Sequence, residues 1–298
     1  MTLKKILIVA ATHGNEINPV WALNQYFNKD NRVYKNIEYK YIIGNPLAYE
    51  RGVRYVDTDL NRSFDLIDSP DKLNYEINRA KFLVENFGIQ GFDPCEIAID
   101  LHTTTSNMGS SIVLYGRRIK DFCLAALLQH KFGLPIYLHE KDKKQTGFLV
   151  EAWPCGLVIE IGSVAQNFYD QNIINRFLVI ISSLRKEINK LENNIIELPK
   201  ELIVHVHQES IDYPKDKKGN ITGLIHPERI NQDWKSIKKG DPLFLDEYGN
   251  SIVYQGEEFI RPVFIGEVSY KEKNIAMSYT KKEVICSSNK WIEDFFNN

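Results

Sequence analysis

Three apolar runs in this chain stop at residues able to do chemistry. The run Ile6–Ala11 in "ILIVAATHGNE" gives way to His13 and, three positions on, Glu16. "EIAID" leads into His102, and "GLVIEIG" carries Glu160 just before Gly162. Two histidines and a glutamate are a ligand set of catalytic rather than structural zinc, because three protein ligands leave one tetrahedral position open to water. Each residue has an ordinary reading too. His-x-x-Glu recurs by chance, and a histidine after a strand is often a satisfied core residue. Their shared place at the ends of inner strands favours a metal, since the carboxyl ends of strands in an open α/β sheet are where ligands collect.

Other residues fit around such a centre. Asp100, two positions before His102, shares its face of an extended strand. It suits either a carboxylate behind a metal-bound histidine or the cap of a nearby turn. "RYVDTDLNRSF", Arg54 to Phe64, holds two arginines, two aspartates and an asparagine. It reads as a solvated loop with internal ion pairs, or as a clamp. In the second reading Asn61 and Arg62 grip a substrate carboxylate through the planar guanidinium fork, and Arg54 polarises a carbonyl. Glu160 lies inside an apolar strand, where a carboxylate is costly unless paired or used. It is either half of a buried ion pair or a general base whose proton affinity burial has raised.

The elements that must position these groups are visible in the patterning. "KKILIVAA", "EYKYIIGNP", "EIAIDLH", "SSIVLYG" and "GLVIEIG" read as strands. Helical periodicity covers Asn18 to Phe27, Lys72 to Phe87, Ile119 to Phe132 and Asp170 to Glu192. Strands alternating with helices predict a largely parallel α/β sheet. From about residue 197 the pattern changes to "IVHVHQ", "GDPLFLDEYGNSIVYQ" and "RPVFIGEVSY", with a hairpin turn expected at Gly249–Asn250. The expected organisation is a catalytic α/β domain over 1–196 and a β-rich domain over 197–298.

Composition narrows the classes. The 298 residues are 43% hydrophobic and 26% charged with net charge −2, which supplies no basic surface for nucleic acid. No apolar stretch approaches the roughly 20 residues that a membrane helix needs. The apolar N-terminal run is short and meets a His-Gly-Asn-Glu cluster, so it reads as an inner strand and not a signal peptide. Cys95, Cys123, Cys155 and Cys286 are widely spaced, which fits a reduced, cytoplasmic protein. The aromatic end, "WIEDFF", has no partner assignable from sequence.

Taken together, His13-Gly-Asn-Glu16, Arg54, Asp59-Leu-Asn61-Arg62, "DLHTTTSNMG" from Asp100, Glu160-Ile-Gly162 and "IHPERINQDWKSIKKGDPLF" from Ile225 resemble the aspartoacylase family of the zinc-carboxypeptidase superfamily. The resemblance spans nearly the whole chain. It implies a three-layer α/β/α domain of carboxypeptidase type, followed by a small β domain that partly covers the site. It also implies one Zn2+ per subunit held by His13, Glu16 and His102, with Glu160 as general base and proton shuttle. Arg54 would polarise the carbonyl, Asn61 and Arg62 would hold the substrate carboxylate, and Tyr270 would reach in from the C-terminal domain. The implied reaction is hydrolysis of N-acetyl-L-aspartate to aspartate and acetate, by a homodimer.

Three positions depart from the family pattern. Phe148 stands where an arginine is expected, and Asn274 where a lysine is; a family tyrosine becomes Lys144. Lys143, Lys144, Lys273 or Arg118 would have to serve a second substrate carboxylate instead. A related aminoacylase prefers N-acyl aromatic or neutral amino acids, which Phe148 would suit. Succinylglutamate desuccinylase activity is a further alternative. A peptide carboxypeptidase is disfavoured by a covering β domain, and a binding module without turnover by the presence of Glu160 and all three ligands.

Overall fold

The computed structural model describes residues 4–29, 37–70, 73–140, 145–193, 195, 197–288 and 290–296. Its spine is a nine-stranded mixed sheet in the order β11-β12-β7-β5-β4-β6-β3-β1-β2. The strands are β1 (Lys4–Ala10), β2 (Ile37–Ile43), β3 (Ile97–Thr104), β4 (Ser110–Tyr115), β5 (Ile136–His139), β6 (Cys155–Gly162), β7 (Glu201–Asp212), β11 (Arg261–Val263) and β12 (Ile275–Cys286). β1, β2, β3 and β6 are mutually parallel. β4 runs antiparallel to β6 but parallel to β5, which in turn is parallel to β7.

Alternation along these strands sorts the side chains into two faces. Ile6 and Ile8 of β1, Ile97 and Ile99 of β3, Ile112 and Leu114 of β4, and Leu157 and Ile159 of β6 all enter one large apolar core. That face is covered by α1 (Asn18–Lys29), α4 (Ile119–Phe132), α5 (Gln171–Glu192) and α6 (Lys290–Phe296). Fully burying each such side chain stabilises the fold by about 1.5–3 kcal/mol, so this face dominates stability. The C-terminal aromatics belong here: Trp291 and Phe295 are buried, with the Trp291 ring 5.8 Å from Phe122 of α4.

The intervening positions face the other way. Leu7, Val9, Ala98, Val113, Tyr137 and Val158 form a second cluster with α3 (Tyr75–Phe87), Trp153 and Phe264. On this face the strands also carry Asp100, His102, Glu160, Tyr115 and His139.

The chain after residue 197 contributes to both architectures. β7, β12 and β11 extend the main sheet, while β8 (Gly223–Ile225), β9 (Pro242–Asp246) and β10 (Ser251–Val253) form a separate three-stranded sheet. A third apolar cluster, including Ile237, Phe244, Ile260 and Met277, supports that sheet. The β9–β10 turn falls at Gly249, whose φ is +86°. The expected strand over "RPVFIGEVSY" stops at Val263. Phe264 and Gly266 take positive φ, 55° and 65°, and the chain continues as a 3-10 turn over Val268–Lys273. Among the described residues no helix is long and apolar enough to cross a membrane, and all four cysteines are free.

Candidate active site

β1 ends at Ala10, and a tight turn then carries His13 and Glu16. Glycine is required at position 14, because a Cβ there would lie 2.1 Å from the Ala48 carbonyl carbon. The Gly14 N–H donates to Arg54 O at 3.1 Å, tying this turn to the loop that bears Arg54. β3 brings His102, and its register partner on β6 is Glu160. His13, Glu16 and His102 are all buried, with one potential ligand atom from each within 4.8 Å of the others.

The contacts fix which atoms face the centre. His13 Nδ1 is 2.6 Å from Glu16 Oε1, and His102 Nδ1 is 3.1 Å from Glu16 Oε2. Each imidazole is backed by a carboxylate on its other nitrogen. His13 Nε2 lies 3.1 Å from Asp59 Oδ1, and His102 Nε2 lies 2.7 Å from Asp100 Oδ2. Thr12 Oγ1 donates to the other oxygen of Asp100 at 2.7 Å, and the Thr103 N–H donates to Glu16 at 2.8 Å. Carboxylates behind histidines are the outer support that metal-binding imidazoles use to set tautomer and basicity. This donor set, two imidazole nitrogens and one carboxylate, fits zinc.

Electrostatics agree with a site prepared for a cation. Burial would raise the Glu16 carboxyl, but His13 and His102 outweigh it and hold it well below its ordinary range. Burial opposes charge on His102, yet Asp100 and Glu16 push its proton affinity well above that of free imidazole. Asp59 is likewise driven down by His13 and Arg54 against the cost of burial.

Arg54 donates from Nη2 to Asp59 Oδ2 at 3.0 Å and sits 2.8 Å from His13 Nε2. Its loop is held from beneath by Glu76 of α3, a fully buried carboxylate. Glu76 accepts the N–H groups of Val56, Asp57 and Thr58 at 2.6–3.1 Å and the Asn45 side-chain amide at 3.0 Å. Asn61 Oδ1 accepts the Leu149 N–H at 2.8 Å, leaving its NH2 for the cavity. Arg62 donates to Asn61 O at 2.6 Å and to Gln145 Oε1 at 3.0 Å, while its buried Nε has no partner.

Among the described residues Glu160 has no ion-pair partner. Its Oε2 is buried without a hydrogen-bond partner, and burial, reinforced by Glu16 and Glu267 against the pull of His102, raises its pKa well above the carboxylate range.

Tyr270 enters from the 3-10 turn, its ring 5.6 Å from Phe264, and burial raises its hydroxyl pKa. Glu267 anchors this turn. One oxygen caps Ser269 N at 3.1 Å, and the other accepts from Thr105 N at 2.9 Å, Thr105 Oγ1 at 3.0 Å and the Thr104 hydroxyl.

His13, Glu16, Arg54, Asn61, Arg62, His102, Glu160 and Tyr270 therefore all line one cavity. Glu76 and Glu267 were not legible as site residues: a glutamate in a helix's first turn and one in a polar loop look solvated. Asn274 does not line the cavity. It ends the 3-10 turn in the left-handed region, φ 58°, which asparagine tolerates better than lysine. Arg118 is committed to Asp121 and to the Trp153 and Val150 carbonyls, and Lys273 is likewise absent from the lining. Lys143 and Lys144 lie outside the described residues.

Comparison with known proteins places this geometry in context. Residues 2–188 match the succinylglutamate desuccinylase/aspartoacylase catalytic domain, and residues 200–282 match the AstE/AspA barrel-sandwich hybrid domain. A "probable aspartoacylase" of Prochlorococcus marinus subsp. pastoris is 73% identical over 297 residues, covering 100% of both chains. Another, from a second Prochlorococcus marinus strain, is 49% identical and covers 97% of this chain and 96% of its own. Among solved structures, murine aminoacylase 3 superposes with a TM-score of 0.85 at 26% identity, covering 96% of this chain and 97% of its own. Succinylglutamate desuccinylase from Vibrio cholerae shares the fold, with a TM-score of 0.64 at 17% identity over 95% of this chain and 85% of its own.

Proposed function

The chain belongs to the succinylglutamate desuccinylase/aspartoacylase family, and on that premise we propose that it is a zinc-dependent amidohydrolase of N-acyl-L-amino acids, with N-acetyl-L-aspartate as its leading substrate. The observation that carries this reading is Glu160: a buried, unpartnered carboxylate of raised proton affinity, in register with His102 beside a His-Glu-His cluster. Zinc held by His13, Glu16 and His102 would supply Lewis-acid polarisation of the amide carbonyl and lower the pKa of water to about 7.

The protein groups then divide the work. Asn61 and Arg62 hold the α-carboxylate, and the free Nε of Arg62 makes that grip two-pronged. Arg54, kept in place by Asp59, stabilises negative charge on the carbonyl oxygen as it develops. Glu160 takes a proton from the attacking water as the new C–O bond forms, then delivers it to the amide nitrogen as the C–N bond breaks. The products are the acyl carboxylate and the free amino acid. Tyr270 closes the substrate pocket from the C-terminal side. The four free cysteines support a reducing, cytoplasmic setting.

A second reading, N-acyl aromatic or neutral amino acids, draws support from the cavity's aromatic wall, where Phe148 stacks on Tyr115 at 3.8 Å. The deciding experiment is kcat/KM of the zinc-loaded protein on N-acetyl-L-aspartate, N-acetyl-L-phenylalanine, N-acetyl-L-leucine and N-succinyl-L-glutamate. Acetylaspartate is expected to lead. A preference for acetylphenylalanine would keep the reaction and replace the substrate.

A further inference from the structure

Phe148 lines the cavity, yet neither face of its ring is open to a ligand. The Arg62 guanidinium carbon lies 4.0 Å from the ring centre, and the Tyr115 ring stacks on it at 3.8 Å, tilted by 24°. Two groups this close to one ring centre would overlap if they shared a face, so they cover opposite faces. Arg62, Phe148 and Tyr115 form a three-layer stack that runs from the substrate clamp to the end of β4. With both faces covered, Phe148 offers a substrate side chain only its edge.

The backbone is shaped to bring that ring against Arg62. Gly147 takes φ +77°, and a Cβ there would lie 2.8 Å from Arg62 O. Its carbonyl accepts the Phe64 N–H at 3.3 Å, and the Leu149 N–H donates to Asn61 Oδ1 at 2.8 Å. Residues 147–149 are thus laid directly on residues 61–64, with the Phe148 ring on the guanidinium and the Leu149 N–H on the asparagine. An aromatic face attracts a guanidinium without occupying any of its N–H groups. The acceptors that Arg62 meets at its two terminal nitrogens, Asn61 O and Gln145 Oε1, are neutral. The ring therefore fixes the plane of the guanidinium before a carboxylate arrives, and less rotamer freedom is lost on binding.

We propose that Phe148 is a positioning residue for the carboxylate clamp, holding the Arg62 guanidinium flat against one face of its ring while Tyr115 braces the other. The inference rests on the N-acyl amino acid reading above and deepens it. Phe148 acts on the carboxylate that every such substrate carries, and so on affinity for the whole class. It does not select among substrate side chains.

The test measures kcat and KM of zinc-loaded wild type, Phe148→Leu, Arg62→Ala and the double variant on N-acetyl-L-aspartate and N-acetyl-L-leucine. Phe148→Leu removes the aromatic face and should raise KM about 10-fold on both substrates, with kcat little changed. In the Arg62→Ala background the same substitution should change KM by less than about 2-fold, because its partner is already gone. Should the leucine variant fail to unfold cooperatively, Phe148→Met fills the space without a ring and supplies the same comparison. An unchanged KM, or a loss confined to one of the two substrates, overturns the role. A loss of equal size with and without Arg62 overturns it as well, since the ring would then act on the fold and not through the clamp. A wild type inactive on both N-acyl amino acids overturns the reading of the site, and this role with it.

Discussion

On one side of the cavity, the functional groups come from the ends of β1, β3 and β6, three neighbouring parallel strands, plus the turn that follows β1. On the other, they come from β4 and β5, where Tyr115 and His139 are the last residues of their strands, from the loop at Phe148, and from the turn at Tyr270 contributed by the C-terminal segment. The first side gathers charge: the His13 and His102 imidazoles and the Glu16, Asp100 and Glu160 carboxylates, joined by the Arg54–Asp59 pair from the neighbouring loop. The second is aromatic, and its polar atoms are arranged in a chain from His139 through Tyr137 to His207. Bond breaking needs groups whose position cannot vary, and adjacent strand ends supply that. Side-chain recognition needs a surface that can be re-cut, and single alternating positions on a sheet face can change without disturbing the apolar residues behind them.

The largest effect that would test this division is on the first side. Glu160→Gln keeps shape and hydrogen-bonding capacity but cannot accept a proton from water. Turnover should fall by about 10^3-fold with bound zinc unchanged by metal analysis, within the usual range for loss of a general base. An active glutamine variant would remove the chemistry from β6.

Glu267 joins the two sides, since it reaches from the C-terminal turn to the loop after β3. Glu267→Ala would leave the Thr105 N–H and the Thr104 hydroxyl without their acceptor and release the Tyr270 turn. An activity loss of about 30-fold, chiefly in KM, with a stability loss of about 2–3 kcal/mol in urea unfolding is expected. A pure stability loss with unchanged KM would separate Tyr270 from substrate binding. Glu76→Ala acts one step further out, on the backbone beneath Arg54. A kcat decrease of about 10-fold, with KM little changed and zinc retained, would mark it as a positioning residue for Arg54.

The unequal legibility of the two sides has the same physical origin. His13, Glu16, His102 and Glu160 each interrupt or end an apolar run, so local pattern alone marks them. Asn61 and Arg62 needed the resemblance, because a polar loop gives no hint of which side chains turn inward. Tyr137 and His139 lie on a four-residue strand too short to stand out. Their partner His207 is 68 residues beyond His139 in the sequence and is brought alongside only by β5–β7 pairing. The glutamates behind the site escaped for another reason: their burial is made by loops folding over them, which no periodicity records. The alternation His205-x-His207 opposite Tyr137-x-His139 was the available clue, since polar residues at period two on an inner strand imply a shared polar face.

His205 offers the smallest effect and the finest test of where the second side ends. It sits on the same face of β7 as His207, opposite Tyr137 in register, but its ring packs 5.2 Å from Trp234 and its Nδ1 has no partner. Burial, with Arg261 and Lys282 nearby, lowers its pKa from 6.5 to about 4. The unfolded chain therefore binds a proton between those values that the folded chain refuses. Its contribution is fully present above pH 6.5 and is lost as the pH falls towards 4. The ring is only partly buried and solvent screens it, so the loss amounts to about 1 kcal/mol. Urea unfolding of wild type and His205→Gln at pH 7.5 and pH 4.5 should show that much less acid sensitivity in the variant. The ratio of kcat/KM for acetylaspartate to acetylleucine should not move, because His205 does not line the cavity. A shifted ratio would extend the recognition surface along β7 to Trp234, making the C-terminal segment a determinant of selectivity beyond its role as a cover.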